Sequence, residues 1–275
     1  MFIGYKEDQS ILFDADKICY GLLKSGYLER ITGWRRLRLR SIDLNPGSPS
    51  SWAEAGTAEP ILGFSVEGAV APIVFITGSG SPCGSSKVGD VTTFYYISAN
   101  TNTKFYYFDT MRDSGPINGV KCFREDGVLT FNSSQRPLNI VATVTPPPPR
   151  ADGRWPYQGG VRFIGSIFPG GPVNVINRVG VSLGTSEEYA AYVNFTRTAA
   201  VGPVDGSYFF LSAVQEGAYG VVGGVEFMFC IAARSTELDQ SRVANEDFNR
   251  WRDIPTSRYP KALVIRTRDY PFPYN

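Results

Sequence analysis

The side chains that could do chemistry in this sequence are carboxylates, arginines, tyrosines, hydroxyls and four cysteines; histidine is absent. Its absence removes the commonest general base, the base partner of Ser and Cys nucleophiles, and the most frequent metal ligand. Carboxylate pairs can hydrolyse glycosides without histidine, and Glu54 with Glu59, Glu187 with Glu188, and Asp8 with Asp14 are of the right type. Their spacing puts no pair across a cleft. Adjacent Glu187 and Glu188 diverge on a strand, and all six read as solvated turn charges. Asp14-Ala15-Asp16 opens like a calcium loop but lacks the glycine and the closing Glu. Thr77-Gly78-Ser79-Gly80-Ser81-Pro82-Cys83-Gly84-Ser85-Ser86-Lys87 fits neither phosphate-binding glycine pattern, because Cys83 and Ser86 stand where glycines are needed. It reads as a mobile surface loop. Cys19, Cys83, Cys122 and Cys230 contain no C-x-x-C and are expected as free thiols, roughly two or three of them buried. One bridge formed after release from a reducing compartment is the alternative. No catalytic residue, metal or cofactor is assigned.

Two features suit contact with another protein. Trp34–Ile42 alternates so that Leu37 and Leu39, with Arg35, share one face while Arg36, Arg38 and Arg40 share the other. The arginine row reads as a solvated or edge strand guarded by charge, or as a face that meets an acidic neighbour and sets register. Phe94-Tyr95-Tyr96 and Phe105-Tyr106-Tyr107-Phe108 are expected to turn half their rings inward and half outward. Tyr95, Tyr96, Tyr106 and Tyr107 are therefore candidates for a protein interface or a sugar-stacking platform. The net charge of +1 supplies no field to hold nucleic acid. No apolar run approaches the roughly 18 residues of a membrane helix, and Met1–Asp8 turns acidic where a signal peptide would turn apolar. The chain is expected to be made and kept in a cytoplasm until assembled or released.

The elements that must hold these residues are strands. Aromatics make up 13% of the 275 residues, beside 29 Gly and 19 Pro, which suits many short strands joined by turns. Runs such as Ile11–Phe13, Ile61–Val66, Ile73–Ile76, Phe105–Asp109, Tyr189–Phe195, Val225–Ala232 and Leu263–Thr267 carry that chemistry. Four consecutive prolines, Pro146–Pro149, favour an extended spacer. The expected fold is mainly β: two β-sandwich-like domains, 1–145 and 151–275, joined by a Pro-rich linker at 146–150. One short helix is expected within 235–253, with Glu237 and Asp239 near its start, Arg250 and Arg252 near its end, and Pro255 beyond.

A weak repeat is also present. Tyr5-Lys6-Glu7-Asp8-Gln9-Ser10-Ile11-Leu12-Phe13-Asp14 aligns without gaps to Phe123-Arg124-Glu125-Asp126-Gly127-Val128-Leu129-Thr130-Phe131-Asn132. The order of aromatic, base, two acids, turn positions, apolar pair and Phe-Asx suits two hairpins with an Asp-centred turn.

Val120–Leu138, with its aromatic, Asp-Gly turn, apolar stretch, Phe-Asn-Ser and Pro-Leu, resembles a motif of small β-rich tail proteins of tailed bacteriophages. Gly4–Tyr27, with Phe-Asp and Lys-Ser-Gly-Tyr, is similar to the usual start of those proteins. The resemblance implies a non-enzymatic virion component of a tail tip, baseplate or fibre base, docked to other tail proteins in a symmetric assembly. Three or six copies in a closed ring are expected on that reading. The alternative is a receptor- or carbohydrate-binding module on a tail fibre, touching a host glycan.

Overall fold

The structure, a computed structural model, describes residues 3–5, 7–9, 11–14, 17–39, 52–114, 119–151, 155–162, 175–201, 204–205, 208–232, 236–240 and 251–275. Strands dominate, and among the described residues no helix reaches seven residues.

The chain opens with a hairpin, β1 (Ile3–Tyr5) and β2 (Ile11–Asp14). Seven strands follow: β3 (Tyr20–Tyr27), β4 (Glu29–Leu39), β5 (Trp52–Glu67), β6 (Ile73–Thr77), β7 (Ser81–Val88), β8 (Val91–Ile97) and β9 (Lys104–Thr110). They pair as two rows, β3-β9-β6 and β4-β5-β8-β7. A second hairpin comes next, β10 (Lys121–Phe123) and β11 (Leu129–Asn132). After it come β12 (Ala142–Val144), β13 (Val161–Arg162), β14 (Val175–Ser182), β15 (Tyr189–Val193), β16 (Thr198–Val201), β17 (Val204–Asp205), β18 (Tyr208–Val221), β19 (Gly224–Ile231), β20 (Thr236–Gln240), β21 (Trp251–Arg252) and β22 (Ala262–Arg266). Their rows are β12-β22-β15 and β13-β14-β19-β18.

These two sets of rows have the same connectivity. In each half the first strand pairs with the last, which pairs with the fourth, and the second, third, sixth and fifth follow in order. Among the described residues only the inserts β16–β17 and β20–β21 break the match. The register agrees as well: Lys24, Ser25 and Gly26 face Tyr107, Tyr106 and Phe105, as Ala142, Thr143 and Val144 face Val264, Leu263 and Ala262. The hairpins agree more closely still. Ile3↔Asp14, Gly4↔Phe13 and Tyr5↔Ile11 match Lys121↔Asn132, Cys122↔Phe131 and Phe123↔Leu129, and the register slips at the same step. Gln9 and Gly127, at equivalent turn positions, both have positive φ, 67° and 81°, a conformation that costs Gln more than Gly. Each hairpin then ends in the same turn, Lys17 N donating to Asp14 O (2.9 Å) and Gln135 N to Asn132 O (3.1 Å). The weak sequence repeat therefore marks a duplication of the whole architecture.

The prolines fall inside the second repeat. β12, before them, pairs with β22, far after them, and Gln158 N bonds back to Pro148 O at 2.7 Å. The expected division into 1–145 and 151–275 is thus not where the strands divide; the second unit begins with its hairpin at β10. The halves are also joined edge to edge, through Ile76↔Ala191, Thr77↔Gly220 and the parallel pairing of β4 with β20. The expected helix is overturned at both ends, since 236–240 and 251–252 are strands; 241–250 lie outside the described residues. Helix spacing there is a local signal, whereas β20 finds its hydrogen bonds on β18 and β4. The one helical element among the described residues is a 3-10 turn, Thr267–Asp269.

In the row β3-β9-β6-β15-β22-β12 the central strands β9, β6, β15 and β22 are buried on both faces, which is why they read as largely apolar runs. One face meets the other rows, through Phe105, Tyr107 and Ile76 in the first half and Ala191 and Val264 in the second. The opposite face packs Leu22, Phe75, Tyr106, Phe108, Ala190 and Ile265 under Tyr270, with Phe272 and Tyr274 of the C-terminal tail against them.

Candidate functional site

The sequence candidates separate sharply in the structure. Tyr96, Tyr106 and Tyr107 are fully buried, which corrects their reading as exposed rings. The outward half of Phe105–Phe108 is covered by the tail: Tyr106 lies 5.7 Å from the Phe272 ring and Phe108 5.0 Å from Tyr270. Inward, Phe105 stacks on Phe64 at 3.7 Å. Burial pushes the Tyr96, Tyr106 and Tyr107 phenols well above their ordinary range. Tyr95 is half-buried, hydrogen-bonded to Ser86 Oγ at 2.7 Å and packed on Trp34. Arg38 faces Ala53 on one side and Glu237 on the other, so β4 is no edge strand there. Arg36 sits at a register slip; the side chains of Arg36 and Arg38, and all of Arg40, lie outside the described residues.

Several carboxylates are corrected too. Glu59 and Asp14 are buried. Glu188 binds Lys104 at 3.0 Å, and Glu187 binds Arg266 and Arg268 at 3.1 and 2.5 Å. The side chain of Glu54 is outside the described residues. Most of the supposed loop 77–87 is strand β7, with Ser81 fully buried. The four cysteines are free thiols; Cys230 is buried and the others half-buried. Burial pushes Cys83 up to about 12 and Cys230 to about 11. Among the described residues no group of three His, Cys, Asp or Glu side chains could hold a metal.

The most highly built polar arrangement is the joint between the second hairpin and the first sandwich. Cys19 N donates to Thr130 O (2.8 Å), Leu22 N to Arg136 O (2.8 Å), and Leu138 N to Tyr20 O (2.9 Å). Asn132 Nδ2 donates to the Arg112 and Ser114 carbonyls, both at 2.9 Å. Gln135 exchanges bonds with the Arg112 backbone, giving from Nε2 and accepting at Oε1, each at 3.1 Å. Asn132 and Gln135 are buried here, and their amides are fully used, as burial requires. The tail closes the other end of the same edge: Ser25 N donates to Tyr274 O and Tyr274 N to Ser25 O, at 2.7 and 3.0 Å. The outer edge of β3 is thus covered at both ends, which blocks open-ended strand addition.

Between these two closures a groove opens over the β3–β5 side. One part, about 370 Å³, is bordered by Leu23, Lys24, Glu67, Val91, Tyr107 and Arg112. The adjoining part, about 440 Å³, is bordered by Tyr27, Glu29, Ile31, Phe64, Phe105 and Pro273. Lys24 Nζ bonds Ser65 O and Arg112 bonds the Glu67 and Gly68 carbonyls. The Ser65 hydroxyl pairs with Thr93 Oγ1 at 2.8 Å, a partner that cannot act as a general base. The groove offers apolar contact and charges of both signs, a surface for binding. Sequence reasoning missed it, although Lys24–Tyr27 was singled out by resemblance.

No protein-family model, no characterised protein and no solved structure matches the chain. Among the described residues no helix is long and apolar enough to cross a membrane.

Proposed function

We propose that the chain is a structural protein of a bacteriophage tail, at the tip, baseplate or fibre base, and that it acts by docking to other tail proteins. The observation that carries this reading is the joint. The two stretches that resemble tail proteins, Gly4–Tyr27 and Val120–Leu138, are hydrogen-bonded to each other through Cys19, Tyr20 and Leu22. Each contains the same hairpin and turn placed ahead of a sandwich, an arrangement suited to joining β modules in series. In such a setting the Arg36, Arg38 and Arg40 row faces acidic neighbours, adding specificity more than affinity. Mass spectrometry of purified virions, with immunogold labelling, tests the proposal: the protein should be found at the tail, and its absence from virions ends the reading. Changing the three arginines to glutamate should lower incorporation while the isolated protein stays folded; normal incorporation removes the row from the interface.

A receptor- or glycan-binding role is favoured by the groove, where Tyr27 is half exposed and edge-packed on Phe272 at 5.0 Å beside Lys24, Glu29 and Asn275. Tyr keeps an apolar face and a polar tip for such contacts. A glycan screen in which Tyr27→Ala abolishes a signal supports it, and an empty screen removes it.

A further inference from the structure

The first sandwich receives a hairpin unit; among the described residues, the second sandwich, built the same way, receives none. The positions that the joint covers tell the two apart. Leu22 is 1% exposed beneath Arg136, whereas its equivalent Ile140 is 37% exposed. Gly21 is buried, and its equivalent Asn139 is exposed. On the donor side, Gln135 is 5% exposed in the joint, whereas its equivalent Lys17 has a side chain 76% exposed. Ile18, at the place of Arg136, is exposed at 43%. The β1–β2 hairpin forms its own two-stranded sheet, unpaired with the main strand network, and such a hairpin alone is marginally stable in water.

We propose that the missing partner is a second copy of this chain: the β1–β2 hairpin and the 14–18 turn of one copy seat on the β12–β22 end of the next, repeating the internal joint between molecules. The inference deepens the assembly reading and rests on it only for where copies meet. Carrying the internal contacts across by register, the Leu22–Arg136 bond becomes one between Ile140 N and Ile18 O, bringing together two exposed isoleucines. The contact of the Gln135 side chain with Arg112 becomes one between Lys17 and Asp269, of opposite sign, while Asp14, buried as Asn132 is, stays within its own copy. Asp14 and Lys17 now pair with each other at 3.6 Å, as Arg268 does with Glu187 and Asp269, so docking exchanges partners. Four features differ: Pro137 stands at the place of Cys19 and has no N–H to give, Asn139 replaces Gly21, Tyr270 Oη accepts from Asn139 N (2.8 Å) and donates to Pro137 O (3.2 Å), and Thr267–Asp269 is a 3-10 turn where 110–112 is not. The joint between copies thus keeps the strand bond and the apolar contact and replaces buried amide bonds with the Lys17–Asp269 ion pair. A head-to-tail contact of this kind closes into a ring or extends as a filament.

Sedimentation and light scattering on the purified full chain test this. The wild type should show a concentration-dependent mass of two or more copies, weakened by salt because rim ion pairs are screened. Lys17→Glu and Asp269→Lys should each reduce the mass to one copy with an unchanged melting curve, and the double variant should restore association. Mixing the two single variants should restore association in assemblies that alternate the two, because each variant's head is opposite in charge to the other's tail and like in charge to its own. A wild type that stays a single copy up to saturation overturns the proposal. So does association that both single variants leave intact, or that the double variant fails to restore. Absence from virions would remove the tail setting and leave this joint standing; a strictly single-copy protein found in virions would do the reverse.

Discussion

Arg197 and Glu216 meet in the second sandwich, both about 1% exposed at the side chain, with Nε to Oε2 at 2.7 Å and Nη2 to Oε1 at 2.8 Å. Tyr157 donates a third bond to Glu216 (2.7 Å), and Arg197 gives another to Pro255 O and lies over the Tyr259 ring. Every charged atom is thus answered, and Glu216 holds the guanidinium above its ordinary value although burial alone would lower it. Removing one partner strands the other. Glu216→Leu should cost about 3–5 kcal/mol in urea unfolding, and a loss below about 1 kcal/mol would show that water reaches the pair. The buried phenols set a pH limit. Burial raises Tyr270 to about 12 and lifts Tyr96, Tyr106, Tyr107, Tyr157 and Tyr219 well above 10. A group whose folded value is raised contributes stability that is complete below its unfolded value, about 10 for Tyr, and is lost as pH climbs toward the folded value. Urea midpoints should therefore hold steady up to about pH 9 and fall steeply above it. A midpoint unchanged at pH 11 would contradict this burial.

At the scale of elements, β18 comes close to the neighbouring row at Gly220. A Cβ there would lie 1.9 Å from Tyr189 O, while Gly220 O itself accepts from Gly78 N and from Thr77 Oγ1. Both halves meet through this backbone, so no side chain fits. Gly220→Ala should destabilise by about 1–3 kcal/mol, the usual cost of overpacking, whereas Gly180→Ala, with open space around it, should change little. Equal effects at both sites would mean that the rows do not meet here. Asp109 plays a related part at the end of β9, accepting from Val70 N, Ala71 N, Thr110 N and Tyr107 Oη at 2.6–2.9 Å. Such charge-assisted bonds are the stronger kind, and here they fix the turn after β5 that borders the groove.

Across the whole molecule, the two repeats share one row of strands, and the chain crosses between them twice. The tail from Thr267 runs back over the first half to Ser25, and β12 leaves the first joint to reach β22. Cleavage engineered between Pro146 and Arg150, through an inserted protease site, should leave fragments that elute together and separate only in denaturant. Separation under native conditions would restore the two-domain reading of the prolines.

Strand chemistry was readable from the chain alone because it is local: alternation and turn residues mark Ile61–Val66, Phe105–Asp109 and Val225–Ala232 whatever their neighbours. The Tyr5–Asp14 and Phe123–Asn132 match was readable for the same reason, since a hairpin's bulge and positive-φ turn are set within ten or so residues. Burial of Tyr96, Tyr106 and Tyr107 was not readable, because it depends on a second row and on a tail more than a hundred residues away. Nor was the module boundary: a proline run states that a segment is extended, not which strands lie on either side of it. The joint and its uncovered counterpart at Asn139 and Ile140 were decided by tertiary structure alone, since only the fold brings equivalent positions to edges where one is covered and the other is not.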